Sequence, residues 1–245
     1  MSEPKFKMAS DEYAILYPHL VEKTPRELLA FAIPIDKKMV LELCCGVNGN
    51  GIKEAVEMGA YSVTGVDTNP HIYEIPQKIG FNKRGFNKDG NLLSCSNDYD
   101  REVLLFNGST HSFLKYYAYA DTYDAVICQQ GINYWFDKDN LLLLKRSMTK
   151  NSKFVFSTFP ETPSEKPVTR TFKANGKEYV EIHCLDANGF IHRSVYVEGH
   201  EPHHTSFLWI PEERLEVVLR EVFSDVVNMN ITVGEESSLI YICKK

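Results

Sequence analysis

Gly46, Asn48, Gly49, Asn50, Gly51 and Asp67 are the residues whose types and spacing carry the clearest chemistry in this chain. They fall within MVLELCCGVNGNGIKEAVEMGAYSVTGVD, Met39 to Asp67. That stretch reads as a short apolar strand (Met39 to Leu43), a turn dense in Gly and Asn, a helix (about Ile52 to Met58) and a second strand (Tyr61 to Val66) ending on Asp67. Glycines let a backbone approach a ligand, a helix N-terminus offers unpaired N–H groups, and an acid ending the second strand is placed to accept ribose hydroxyls. The pattern is that of a nucleotide-binding βαβ unit. A second reactive group lies far downstream, where five of the eight histidines (His183, His192, His200, His203 and His204) fall between positions 183 and 204. Imidazoles gathered in this way are candidates for a general base. Only Glu198 and Glu201 accompany the last three at ligand spacing, so no metal site is expected.

Several elements must hold these groups. Residues 9–32 read as two helical pieces broken at Thr24-Pro25, within a helical cap over residues 1–38. Tyr13 and Tyr17 share one face there, open to core packing or to ligand contact. After Asp67, Thr68-Asn69-Pro70 starts a helix, and residues 78–100 look irregular, as a lid or mobile loop would. Glu102 to Phe106 is a strand running into Asn107-Gly108-Ser109. Tyr123 to Cys128 is apolar nearly throughout, as a doubly covered parallel strand should be, and spills into Gln129, Gln130, Gly131, Ile132, Asn133, Tyr134 and Trp135. Open α/β sheets bind ligands at such carboxyl ends. A helix (Asp137 to Thr149) and a fifth strand (Lys153 to Phe159) follow.

Between residues 161 and 210 the pattern changes. Asn175-Gly176 and Asn188-Gly189 each separate alternating segments, the strongest short-range hairpin signal, which predicts an antiparallel insertion. With two-residue turns, Phe172 faces Tyr179, Arg170 faces Glu181, His183 faces Ser194 and Leu185 faces His192. One face then carries Arg170, Phe172, Tyr179, Glu181, His183, His192, Ser194 and Tyr196, either a solvated surface or the wall of a substrate cavity. The other carries Val180, Ile182, Cys184, Ile191, Val195 and Val197 and should be buried. An amphipathic helix (Pro211 to Phe223) and two strands (Asp225 to Val233, Leu239 to Cys243) close the chain, so that 39–160 and 211–245 are expected to form one α/β unit.

Bulk properties narrow the partners. A formal charge of −6 argues against a broad nucleic-acid footprint. No apolar run reaches the roughly 18 residues of a membrane span, and MSEPKFKMAS lacks the apolar region of a signal peptide, so a cytoplasmic protein without a membrane partner is expected. Six scattered cysteines read as free thiols.

Seven strands, helices between the first five, a glycine turn after strand one and an acid ending strand two resemble the class I S-adenosylmethionine-dependent methyltransferases. Leu41-Glu42-Leu43-Cys44-Cys45-Gly46 is similar to that family's first motif, Val63-Thr64-Gly65-Val66-Asp67 to its second, and Tyr123 to Ile127 with Cys128-Gln129-Gln130-Gly131 to its fourth in a small-molecule form. Cys44 stands where a glycine is common, Asn48 or Gly49 serves for the third glycine, and Asn107-Gly108-Ser109 replaces the usual Gly-Asp at the adenine edge. The resemblance implies an α/β, Rossmann-like, seven-stranded mostly parallel sheet with an antiparallel β insertion after strand five. It implies S-adenosyl-L-methionine as cofactor and methyl transfer to an N or O of a small molecule. Candidate cofactor contacts are Tyr13, Tyr17, Glu42, Cys44, Gly46, Asn48, Asp67, Thr68, Gly108, Ser109 and Gln129. Candidate substrate contacts are Gln130, Tyr134, Trp135, Arg170 and Tyr196, with His183, His192, His200 and His203 as candidate bases. The nucleic-acid members' Asn/Asp-Pro-Pro-Tyr/Phe and Pro-Cys signatures are missing. A nicotinamide-dependent oxidoreductase and a non-catalytic S-adenosylmethionine-binding regulator remain alternatives, and the insertion could be a substrate cover or a homodimer surface.

Overall fold

The computed structural model describes residues 26–32, 34–97, 99, 101–129, 131–158, 163–174, 176–233 and 236–245. In chain order the elements are α1 (Arg26–Ala32), β1 (Met39–Leu43), α2 (Asn50–Glu57), β2 (Ser62–Asp67), a 3-10 turn (Pro70–Glu74), α3 (Ile75–Lys78), β3 (Asn82–Phe86), β4 (Leu92–Ser96), β5 (Glu102–Asn107) and α4 (Thr110–Tyr116). There follow β6 (Tyr123–Cys128), a 3-10 turn (Ile132–Tyr134), α5 (Lys138–Ser147), β7 (Met148–Thr158), β8 (Val168–Ala174), β9 (Lys177–Leu185), β10 (Phe190–Val197), β11 (His203–Leu208), α6 (Glu212–Val222), β12 (Asp225–Val233) and β13 (Glu236–Lys244). No helix among the described residues is long and apolar enough to cross a membrane.

The main sheet runs β12-β13-β7-β6-β1-β2-β5-β4-β3. β1 and β6 lie at its centre because their side chains are apolar in both directions. Leu41, Leu43, Val126 and Cys128 enter one core with α4, α5 and α6. Val40, Ala125 and Ile127 enter the other with α1 and α2. Each such side chain contributes on the order of 1.5 to 3 kcal/mol when taken from water. β1, β2, β5, β6 and β7 pair in parallel, whereas β13 runs antiparallel to both β7 and β12.

The sheet has nine strands rather than seven. The two additional strands come from the segment read as an irregular lid. β4 pairs antiparallel with β5, and β3 with β4, extending the sheet at its edge. The turn between them is built by Asn87, whose Oδ1 accepts from the N–H groups of Asn91 and Leu92 at 3.1 Å. β4 alternates half-buried with buried residues, whereas all five residues of β3 are exposed and its pairing is bulged between Lys83 and Gly85.

β8 to β11 form a separate four-stranded antiparallel sheet, ordered β11-β10-β9-β8, between β7 and α6. Arg170 opposes Glu181 and Phe172 opposes Tyr179, as a two-residue turn requires. The next pairing differs from expectation by one residue: His183 faces Arg193 and Leu185 faces Ile191, not Ser194 and His192. Asp186 is the cause. Its N–H donates to Phe190 O at 2.8 Å, its O accepts from Gly189, and its Oδ1 accepts from the Asn188 and Phe190 N–H groups. The loop is therefore the three residues 187–189, with Gly189 supplying the positive φ of 82°.

That slip re-sorts the faces. Arg170, Phe172, Tyr179, Glu181 and His183 share a face with Ile191, Arg193, Val195, Val197, His203 and Phe207. It is the covered face, with Tyr179, Ile191, Val195, Val197 and Phe207 buried. His192, Ser194 and Tyr196 lie on the opposite, more exposed face with Val180, Ile182 and Cys184. The strand pattern misled because Glu181 and Arg193 sit on the covered face as an ion pair, 3.4 Å apart.

Candidate functional site

The site is built where β1 and β2 end. Glu42, on β1, is 3 % exposed. Its carboxyl group accepts the N–H groups of Gly51 and Ile52 at the start of α2. Only glycine fits at 51, since a Cβ there would lie 2.2 Å from Glu42 Oε1. Burial, with neighbouring Asp67 adding to it, pushes the Glu42 carboxyl up to about 8 against the two N–H bonds. Its Oε2 is buried without a hydrogen-bond partner among the described residues.

Asp67 ends β2. Its Oδ2 accepts the Gly46 N–H and its Oδ1 the Asn69 N–H, both at 2.9 Å. Burial raises this carboxyl as well, while the N–H groups of Asn69, Gly46 and Thr68 hold it down. The turn between Glu42 and Asp67 needs the left-handed region three times, at Cys44 (φ 56°), Gly46 (62°) and Gly49 (61°). A Cβ on Gly46 would meet nothing within 4 Å, so the backbone there borders open space. Cys44 reaches across to β6, its Sγ 3.6 Å from Gly131 O. Gly131 allows this approach, because a Cβ there would stand 2.4 Å from Cys44 Cβ. Burial and the neighbouring carboxylates hold Cys45 as a neutral thiol; for Cys44 the first cause is its hydrogen bond with Cys128. All six cysteines are free.

The remaining candidates are distributed as follows. Asn48 lies half-buried in the turn, Thr68 is exposed just past Asp67, and Gln129 is half-buried at the end of β6. The Gly108 N–H donates to Asp67 O at 2.9 Å, tying β5 to β2. Ser109 caps α4: its Oγ accepts the Ser112 N–H at 3.1 Å, a structural duty that the sequence reading overlooked. Trp135 is buried in the core against Phe154 at 5.9 Å, whereas Tyr134 is exposed and packs on Phe207 at 5.8 Å. Tyr13, Tyr17 and Gln130 lie outside the described residues.

Tyr134 and Asn133 dock the antiparallel sheet over the end of β6. Asn133, absent from the sequence-derived candidates, is buried and donates through Nδ2 to Leu208 O at 2.8 Å. The covered face presents Arg170 over Phe172 (5.6 Å), Phe172 stacked on Tyr179 (5.0 Å), and His183 4.0 Å from Glu181. His203 is half-buried on the same face. His192 and Tyr196 are corrected to the outer face, so Arg170 and Tyr196 do not line one wall. His192 there bridges Ser206 (2.9 Å) and Asp186 (3.0 Å), and His204 meets Ser194 (2.8 Å). His200 contacts Lys177 at 3.0 Å. No group of three His, Cys, Asp or Glu side chains among the described residues could hold a metal ion. A cavity of ≈ 470 Å³ lies at the other ends of the strands, lined by Lys38, Asp124 and Thr149 among others, away from Glu42 and Asp67.

No protein-family model and no curated protein sequence matches the chain. Solved structures do match over nearly its whole length. CalS10, an amino pentose methyltransferase from Micromonospora echinaspora with S-adenosylmethionine bound, superposes with a TM-score of 0.56 at 10 % identity, covering 95 % of this chain and 92 % of that one. The sugar N-methyltransferase KedS8 from Streptoalloteichus gives 0.54 at 11 %, covering 100 % and 99 %. The glycopeptide N-methyltransferase MtfA, complexed with S-adenosylmethionine, gives 0.53 at 16 %, covering 90 % and 92 %. The chain therefore has the mixed α/β fold of S-adenosylmethionine-dependent methyltransferases, around a central mostly parallel sheet.

Proposed function

We propose that this protein is an S-adenosylmethionine-dependent methyltransferase acting on an N or O of a small-molecule acceptor. The observation that carries the reading is Asp67: a half-buried carboxylate at the end of β2, held by the Gly46 and Asn69 N–H groups beside a backbone turn open to space. The residues fit the cofactor. Two anchored oxygens on Asp67 retain lone pairs for ribose hydroxyls, the Gly46 backbone leaves room, and Glu42 Oε2 is a buried polar atom without a partner among the described residues. Cofactors of this kind carry a sulfonium-activated methyl, so the chain's task is to hold an acceptor atom in line and exclude water. Positioning of that sort is worth on the order of 7 to 11 kcal/mol in favourable systems.

The antiparallel sheet is the acceptor cover in this reading. It is pinned above the end of β6 through Asn133–Leu208 and Tyr134–Phe207, and carries the half-buried His183 and His203 on its covered side, with Arg170 exposed on the edge strand β8. An acceptor that carries a proton at working pH needs a base, and His183 and His203 are the imidazoles on that face.

Calorimetric titration with S-adenosylmethionine, S-adenosylhomocysteine and NAD, beside Asp67→Ala, tests the cofactor. Binding of both adenosyl compounds, lost in the variant and absent for NAD, is the expected result. NAD binding alone would replace the reading with an oxidoreductase, and turnover of a metabolite pool to S-adenosylhomocysteine separates an enzyme from a silent binder.

A further inference from the structure

Glu42 presents an unusual combination: a carboxyl group 3 % exposed, one oxygen without a partner among the described residues, and a second, half-buried carboxyl, Asp67, on the neighbouring strand. The groups that set its state are that acid and the N–H groups of Gly51 and Ile52 on α2; Cys45, beside it on the turn, is a neutral thiol. No cationic side chain is among them. Two anions so placed repel, and burying Glu42 as an anion without a cation is costly. One of the two therefore keeps its proton at neutral pH.

We propose that Glu42 is a specificity-determining residue that senses ligand charge: neutral in the free protein, it gives up its proton when a cation settles at the carboxyl ends of β1 and β2. The O–H bond of the carboxyl group breaks, the proton passes to water or buffer, and the carboxylate stays behind opposite the new positive charge. The inference rests on the proposed cofactor, which carries a net positive charge, whereas the demethylated product carries none. Methyl transfer thus removes the charge that kept Glu42 ionised. The acid then recovers its proton, and the site relaxes its hold on product.

Burial that raises the Glu42 carboxyl to about 8 agrees with this arrangement. At pH 7 nearly one proton should leave per S-adenosylmethionine bound and close to none per S-adenosylhomocysteine.

Titration calorimetry of the whole protein in two buffers of different ionisation enthalpy counts those protons. The expected result is a buffer-dependent enthalpy for S-adenosylmethionine that is absent for S-adenosylhomocysteine and abolished by Glu42→Gln, with affinity for the cation rising between pH 6 and 8. Tight binding without proton release, or release that survives Glu42→Gln, overturns the proposal while leaving the methyltransferase reading intact. Infrared difference spectra of the free wild-type protein need neither a variant nor a cofactor. A buried protonated-carboxyl band that disappears as pH rises through about 8 is expected, and its absence at pH 6 overturns the proposal even if no adenosyl compound binds.

Discussion

Gly51 and Glu42 interlock: the first residues of α2 lie directly on the carboxyl group of β1, leaving 2.2 Å between Glu42 Oε1 and the place where a Cβ on Gly51 would be. Gly51→Ala should therefore destabilise the protein by about 1 to 3 kcal/mol, although alanine is the better helix former. In a Glu42→Ala background the clash disappears and the same change should be neutral or stabilising. A double-mutant cycle by denaturant unfolding measures the coupling; additive effects would show that the two do not touch.

The raised Glu42 carboxyl makes a signed prediction about stability. The native state holds a proton that the unfolded state has lost between about 4.5 and about 8. Stability therefore falls as pH rises through that window, is unaffected by Glu42 below it, and levels off above it. The full effect is on the order of 5 kcal/mol for so buried a group. Unfolding midpoints of wild type and Glu42→Gln should diverge across this window, and parallel curves would contradict the assignment.

The Cys44–Gly131 contact should be just as sensitive. Gly131 has φ −107°, so alanine is allowed by the backbone and the cost is steric, led by Cys44 (Cβ at 2.4 Å, Sγ at 2.8 Å) with Cys128 Sγ at 3.1 Å. Gly131→Ala should cost about 1 to 3 kcal/mol, much of it recovered by Cys44→Gly. That second change also removes a side chain from left-handed φ. Thermal unfolding of the single and double variants decides this; equal losses in both would place the strain elsewhere.

The re-sorted faces separate the histidines. With an acceptor identified, His183→Ala should lower kcat by about 100-fold or more if that imidazole is the base. His192→Ala and His204→Ala, on the outer face, should leave turnover within about twofold if the covered face is the one that meets substrate. Steady-state kinetics on all three is the check, and a large loss at His192 would invert the orientation of the sheet.

How much of this was legible in the sequence depended on what each segment buries. β1, β2 and β6 could be read residue by residue because both faces are covered and Leu41, Val63 or Val126 has no other use. Asp67 was found for the converse reason, as an acid at the end of an apolar run, and Glu42 through its place in a motif similar to the methyltransferases' first. β3 left no signal, since none of its five residues is buried. The β9–β10 register was misread because Asn188-Gly189 suits a two-residue turn, and nothing local says that the Asp186 carboxylate will take the two N–H groups that lengthen it. Ser109 and Trp135 were visible as residue types, but a helix cap and a core ring look the same on paper as ligand contacts.

β3 has a consequence for the molecule as a whole. A row of unpaired N–H and C=O groups at a sheet border can recruit strands from other chains without limit. Here that border consists of a short bulged strand whose middle carries Lys83 and Arg84 in full solvent. A second copy laid against it would bring like charges together and lose the ladder at the bulge. The hairpin that read as a lid or mobile loop thus works as a terminator, letting a nine-stranded sheet remain a finite object at that end.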